Sequence, residues 1–144
     1  MKYNTKKKLQ ISLRRYYATN NPSKEISEFV NLSKEEFKNY INNKFIDGMN
    51  ENNFGSLWGL DHLVPVELFD LDNIEELKIC YNFLNIIPMF NNDNRLKGCS
   101  IHFSIIMLNR MLQKEGNKNN VKIIEKLLFK CEEEKVNRYD KYLL

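Results

Sequence analysis

Four polar side chains in the middle of the chain are of the types that hydrolytic chemistry needs. Asp61 and His62 are adjacent, Asn85 follows an apolar stretch, and Asn94 lies nine residues after Asn85. A carboxylate is a hard oxygen ligand for Mg²⁺ or Mn²⁺. An unperturbed imidazole, with a pKa of about 6.5, accepts a proton from water near neutral pH. Together these groups could assemble one small metal-dependent hydrolytic site.

The backbone around the Asp-His pair decides whether both side chains can serve one site. Residues 58–66 are expected to be extended, and adjacent side chains on an extended strand point to opposite faces. Asp61 would then face a metal ion, while His62 approaches from elsewhere if the strand bends. An Asp-His dipeptide is common, so whether it forms a functional site depends on the helices and strands that position it.

Hydrophobic periodicity, caps and turn residues predict a mainly helical chain with two short extended segments. The Ser33-Lys34-Glu35-Glu36 capping box predicts a helix start, with Phe37 and Ile41 facing a core. Asn73 would cap a short helix whose apolar face holds Ile74, Leu77 and Tyr81. The predicted helices cover 5–18, 23–30, a segment from 33, 74–81, 91–97, 100–114 and 119–142, and the extended segments 58–66 and 83–89.

Positive charge is concentrated at the start of the chain. Residues 1–24 contain seven Lys or Arg and no acid, whereas residues 25–144 contain 15 Lys or Arg against 19 Asp or Glu, a balance of −4. Such segregation favours a basic surface facing a polyanion, or else a solubilising tail. On a helix the basic pairs would share one face, with Tyr16 and Tyr17 nearby, which suits phosphate contact; they are Lys7, Lys8, Arg14 and Arg15.

Size and composition set further bounds. The chain has 144 residues, 42% of them hydrophobic and 28% charged, which is enough for one domain with a modest core. It lacks an apolar run long enough for a membrane span and an apolar stretch typical of a secretory signal. Cys80, Cys99 and Cys131 are too widely spaced for a disulfide framework or a structural zinc site. These features predict buried cysteines and a reducing, intracellular setting, although a transit peptide or a viral origin stays open.

The order of residues across 33–98 resembles the HNH endonucleases of the ββα-metal superfamily, in particular a phage and homing-endonuclease-like branch. The resemblance is carried by an ordered set of motifs, which is more specific than any single pair. The set is Gly48-Met49, Asn53 with Gly55, Trp58, Asp61-His62, Pro65, Cys80, Asn85-Ile86-Ile87-Pro88 and Asn94-Arg95-Leu96-Lys97-Gly98.

The resemblance implies a fold and a set of roles. It implies an α+β fold, a small ββα-metal core embedded in a mainly helical domain. Asp61 and Asn94 would bind one divalent ion, Mg²⁺ or Mn²⁺. His62 would be the general base, and Asn85 would hold the segment that carries it. Arg95 and Lys97 would contact phosphate.

These expectations lead to a function with an alternative. The chain would be an endonuclease that hydrolyses DNA, with RNA also open and no membrane partner. It could instead be a non-catalytic nucleic-acid-binding or structural protein derived from such a nuclease, for example in a ribonucleoprotein assembly. A third interpretation is an antibacterial or restriction-type nuclease. One departure is Gly59, where the family usually has a histidine, and His102 is an additional ligand candidate.

The chain is predicted to divide into three parts around this core. Residues 1–32 would be a basic helical segment, 33–98 the nuclease core, and 99–144 a pair of helices. Protein partners cannot be read from the sequence.

Overall fold

Helices dominate the chain, and two short strands form its sheet. A computed structural model describes residues 2–20, 23–92 and 101–143. The fold is α+β, as predicted. Its helices are α1 Lys2–Ala18, α2 Lys24–Val30, α3 Lys34–Asn42, α4 Ile74–Cys80, α5 Ile101–Lys114 and α6 Lys118–Leu143, and its strands are β1 Trp58–His62 and β2 Ile86–Phe90.

Local capping chemistry explains where the early helices begin. Ser33 Oγ accepts a hydrogen bond from the Glu36 amide at 3.1 Å, and the Glu36 carboxylate accepts one from the Ser33 amide at 3.2 Å. This reciprocal arrangement satisfies two amides that the first turn of α3 leaves without a helical partner. Ser23 caps α2 in the same sense, accepting from the Ile26 amide. The predicted starts of both helices are confirmed.

The two strands pair in antiparallel register. Trp58 lies opposite Phe90, Asp61 opposite Ile87, and His62 opposite Ile86. The predicted second strand begins three residues too early, because Phe83–Asn85 forms a 3₁₀ turn. The Asn82 side chain stabilises that turn by accepting from the Leu84 amide at 3.0 Å.

The predicted apolar face of α4 is partly wrong. Leu77 and Tyr81 are buried as expected, but Ile74 is 53% exposed and Cys80 is fully buried. The buried side of this short helix is centred between Leu77 and Cys80. Ile74 lies roughly a quarter of a turn away from that direction, and it therefore faces solvent.

One hydrophobic core joins the N-terminal helix, the sheet and the C-terminal helices. Trp58 is fully buried at its centre, and its ring contacts Tyr17, Phe45 and Phe54 at centroid distances of 5.4, 5.0 and 4.8 Å. Its indole N–H donates to the Asn50 carbonyl at 2.8 Å, so burial leaves this polar group satisfied. Trp58 is therefore a core residue.

The same core buries two of the cysteines. Cys80 and Cys131 are both fully buried, as predicted, whereas Cys99 lies outside the described residues. Burial raises the pKa of the Cys80 thiol, which keeps it protonated. The predicted three-part division of the chain stays a prediction. Within the described ranges, no helix combines the length and apolar character needed to cross a membrane.

Candidate active site

Asp61 and His62 occupy the end of β1 and line one open cleft of about 430 Å³. His62 is the last residue of the strand, and the chain bends directly after it. Strict strand alternation would have sent the two side chains to opposite faces. At the end of the strand that alternation need not hold, and both residues border the same cleft.

Asn85 holds the turn that follows His62. The residue is fully buried, and its Oδ1 accepts from the Val64 amide at 2.8 Å. Its Nδ2 donates to the carbonyls of Val64 and Cys80 at 3.2 and 2.9 Å. Its own carbonyl accepts from the Leu63 amide at 2.8 Å. One carboxamide thus connects the end of α4 to the backbone immediately after the Asp-His pair.

The His62 ring packs against Tyr81, which the sequence placed on an apolar helix face and not at the site. Its centroid lies 4.8 Å from that of Tyr81, with the two rings nearly perpendicular at 86°. Tyr81 is fully buried and only 2% of His62 is exposed. Burial raises the pKa of Tyr81, so its hydroxyl stays protonated. The imidazole is therefore packed inside the protein, at a residue that borders the cleft.

Helix α5 also contacts the turn behind the site. Ser104, which is buried, donates a hydrogen bond from its hydroxyl to the Leu63 carbonyl. The turn is therefore hydrogen-bonded from two sides, by Asn85 and by α5. Ser104 was not predicted, because a serine on a helix face has no spacing that marks its partner.

The four predicted nucleic-acid contacts of the N-terminal helix share an exposed face. Lys7, Lys8, Arg14 and Arg15 are all exposed on α1. At about 100° per residue, they lie roughly a third of a turn from the helix edge that borders the cleft. They form a basic surface beside the site, and they do not line it. We call these four residues the basic face of α1.

The two tyrosines expected near that face are buried instead. Tyr16 donates its hydroxyl to the Leu32 carbonyl at 2.5 Å, and Tyr17 donates to Asn42 Oδ1 at 2.6 Å. Burial raises the pKa of Tyr17 to about 12. Their rings fill the core beneath α1, because the apolar side of that helix needs large side chains against Phe37 and Trp58. They are not placed to contact phosphate.

Charged residues that the sequence did not single out complete the cleft. Lys6 comes from α1, Glu67 from the 3₁₀ turn after β1, and Glu134 and Arg138 from α6. Lys6 Nζ lies 2.5 Å from Glu67 Oε1, and this hydrogen bond lowers the pKa of Glu67. Arg138 Nε lies 3.1 Å from Glu134 Oε1. Glu134 and Arg138 are four residues apart on α6, which is the usual spacing of a helical ion pair. Lys6 and Glu67 are far apart in the sequence, so no local motif links them to each other or to α6.

The other predicted site residues are either not described by the structure or not part of the cleft lining. Asn94, Arg95 and Lys97 lie outside the described residues. His102 is exposed on α5 and is not among the residues that line the cleft. At Gly59, an added Cβ would meet Asn91 Oδ1 at 3.7 Å, an ordinary contact distance, so neither backbone conformation nor crowding demands glycine there.

The cleft offers oxygen donors of the type that hard cations prefer. Over the described ranges, no group of three or more His, Cys, Asp or Glu side chains is arranged to hold a metal ion. Asp61 nevertheless presents a half-buried carboxylate to an open cleft. Mg²⁺ usually keeps several waters and takes only one or two protein carboxylates. The residues present therefore fit an ion that takes most of its ligands from water and substrate.

Comparison with known proteins finds relatives in a giant virus. Over 79 residues, or 55% of its length, the chain is 33% identical to uncharacterized protein L426 of Acanthamoeba polyphaga mimivirus. Over 90 residues, or 60% of its length, it is 31% identical to uncharacterized protein L246 of the same virus. The matches cover 35% and 40% of those proteins. No family model and no solved structure matches the chain. The similarity to these two proteins is consistent with a viral origin.

Proposed function

We propose that this chain is a metal-dependent endonuclease of the HNH type that hydrolyses phosphodiester bonds in DNA. One observation carries the proposal: Asp61 and His62 reach the same open cleft at the end of β1. The turn behind them is held by the buried carboxamide of Asn85. An acid and an imidazole that share a cleft on a fixed backbone are the groups that metal-assisted hydrolysis requires.

The chain's own residues would divide the work of the reaction. His62 removes a proton from a water molecule, which then attacks the scissile phosphorus in line with the departing 3′ oxygen. Tyr81 keeps the imidazole at the cleft wall while this proton moves. Asp61, with Asn94 as the predicted second ligand, would hold Mg²⁺ or Mn²⁺. When bound, that ion supplies Lewis-acid stabilisation of charge on the phosphate and the departing oxygen.

The basic face of α1 supports a nucleic acid as the substrate. Four exposed cations on one side of a helix match the regular negative charge of a phosphate backbone. Because this face lies beside the cleft, it would bind flanking phosphates while the scissile bond occupies the cleft. Its contacts are to the backbone, and so they would carry no base specificity.

Plasmid cleavage tests the proposal directly. We expect the purified full-length chain to nick or linearise supercoiled DNA with Mg²⁺ or Mn²⁺, and EDTA to abolish this activity, because the ion stabilises the charge that develops in the reaction. Gel analysis of topoisomers measures the rate, and a parallel reaction on RNA of matched length compares the two substrates. Protein that cuts neither nucleic acid with either ion would overturn the enzymatic function.

Replacing Asp61 with alanine is expected to weaken metal binding and cleavage together. The substitution removes the one carboxylate that β1 presents to the cleft. Mn²⁺ binding, followed by calorimetry without nucleic acid, separates the loss of the ion from the loss of activity. Asp47→Ala is the matched control, since Asp47 is an exposed acid that does not line the cleft. Equal Mn²⁺ affinity in both variants would remove Asp61 from the metal site.

A second candidate function is nucleic-acid binding without cleavage. Two observations favour it: only 2% of His62 is exposed, and the basic face of α1 does not line the cleft. The chain would then bind a polyanion through α1, as a structural component of a larger assembly. Salt-sensitive DNA binding by protein that never cuts would select this function over the first.

A further inference from the structure

We propose that Lys6 and Arg138 are phosphate-binding residues of the cleft, and that Glu67 and Glu134 are the counter-ions that the substrate displaces. The proposal rests on the proposed function, because it concerns the same cleft. It differs from the expectation drawn from the charge pattern, which assigned phosphate contact to the basic face of α1. It gives both terminal helices a part in the site.

The cleft places these two cations beside the candidate catalytic pair. Lys6 is the cleft-facing cation of α1, and Arg138 is its counterpart on α6. Each forms an ion pair with a carboxylate that lines the same cleft, at 2.5 Å for Lys6 with Glu67 and 3.1 Å for Arg138 with Glu134. Both cations therefore border the same open space as Asp61 and His62, where a bound phosphodiester would lie.

The charges of the cleft explain why counter-ions matter. Its lining holds two cations, Lys6 and Arg138, against three carboxylates, Asp61, Glu67 and Glu134, for a net charge of −1 with neutral histidine. In this resting state, the cleft repels a phosphate. A bound phosphate that takes over Lys6 and Arg138 exchanges one anionic partner for another. A divalent cation at Asp61 would change the lining from −1 to +1 and favour that exchange.

The exposure of the Lys6 pair makes the exchange easy. Side-chain exposures are 39% for Lys6 and 64% for Glu67, and ion pairs this exposed to water contribute little to stability. The Lys38–Glu51 pair, with exposures of 41% and 51%, is similar in kind but does not line the cleft. It provides a control pair whose disruption should leave the cleft unchanged.

DNA binding in a cleavage-deficient background tests the proposal. We would measure binding of a short fluorescent duplex to full-length His62→Ala protein over a range of salt concentrations. Adding Lys6→Met is expected to weaken binding and to reduce the slope of log affinity against log salt by about 0.9, the value for one lost phosphate contact on duplex DNA. Adding Arg138→Met should have the same effect, whereas adding Lys38→Met should leave the slope unchanged.

The carboxylate partner gives an effect of opposite sign. Adding Glu67→Gln to the same background removes the competing anion, so binding without divalent metal should become tighter. Glu51→Gln, in the control pair, should leave the affinity unchanged. If the ion pair is only structural, the result should differ. Lys6→Met and Glu67→Gln should then both lower the melting temperature, and neither should change the salt slope of DNA binding.

The outcomes separate this inference from the proposed function. If Lys6→Met and Lys38→Met have the same salt slope, or if His62→Ala protein binds no DNA, the assignment of Lys6 is overturned. Cleavage of plasmid by the wild type is scored separately and decides the proposed function. A chain that never cuts, yet binds DNA through Lys6 and more tightly after Glu67→Gln, would keep this assignment and lose only the nuclease.

Discussion

Replacing His62 with alanine is expected to lower the rate of DNA cleavage by about 10²–10⁴-fold, the usual contribution of a general base. In the proposed mechanism His62 takes the proton from water, because an imidazole is the side-chain base suited to neutral pH. DNA affinity should change little, because the binding cations lie on α1 and α6. Single-turnover cleavage with saturating protein measures this chemical step.

Controls separate lost chemistry from lost folding. His62 packs against Tyr81 and is buried, so its removal also removes ring contacts. His62→Asn keeps a polar side chain without the basic nitrogen, and it should be as inactive as His62→Ala. His102→Ala changes the other, exposed histidine and should cut at the wild-type rate. A His62→Asn protein that retains wild-type cleavage would remove this residue from the general-base role.

Replacing Asn85 with alanine is expected to lower the free energy of unfolding by about 3–5 kcal/mol, because it leaves several buried polar groups unsatisfied. The Val64 amide loses its acceptor, and the carbonyls of Val64 and Cys80 lose their donor. Val64, Cys80 and Asn85 are all fully buried, so bulk solvent does not reach these groups. Urea unfolding at neutral pH measures the loss, and the melting temperature should fall by roughly 10 °C or more.

A neighbouring asparagine provides the comparison. Asn82 is also buried, but its side chain stabilises one amide, that of Leu84. Asn82→Ala should therefore destabilise the protein by about 1–2 kcal/mol. Equal losses in the two variants would show that the Asn85 carboxamide is not the main support of the turn after β1. Asn85→Asp adds a sharper comparison, since a carboxylate keeps the acceptor but repels the two carbonyls.

Much of the secondary structure could be predicted because its causes are local. The capping box at Ser33, the cap at Asn73 and the apolar spacing of α5 and α6 each act within a few residues. The second strand was predicted in the right part of the chain, but its predicted start was three residues too early. An apolar run does not reveal that its first residues form a 3₁₀ turn. Ile74 faces solvent because the direction of burial on a short helix is set by its partners, and the sequence does not show them.

The site was predictable only where its residues are near one another in the chain. The Asp-His pair and the order of motifs around it pointed to a segment that borders the cleft, and Asn85 is hydrogen-bonded to the backbone just after that pair. Lys6, Glu67 and Arg138 come from three distant segments, so no spacing links them. The clustering of positive charge in the sequence predicted that the basic face of α1 contacts phosphate. The residues of that helix that line the cleft are instead Lys6, whose side chain is 39% exposed, and Gln10.

The hydrogen bonds behind β1 have a consequence for motion. Leu63 and Val64 are fully buried, both of their amides are bonded to Asn85, and the Leu63 carbonyl accepts from Ser104. A segment bonded in this way opens only when much of the surrounding core opens. This part of the site is therefore preorganised, and its backbone does not close over a ligand. Adjustment to a bound molecule falls to the long side chains of α1 and α6, which can change rotamer in nanoseconds or less.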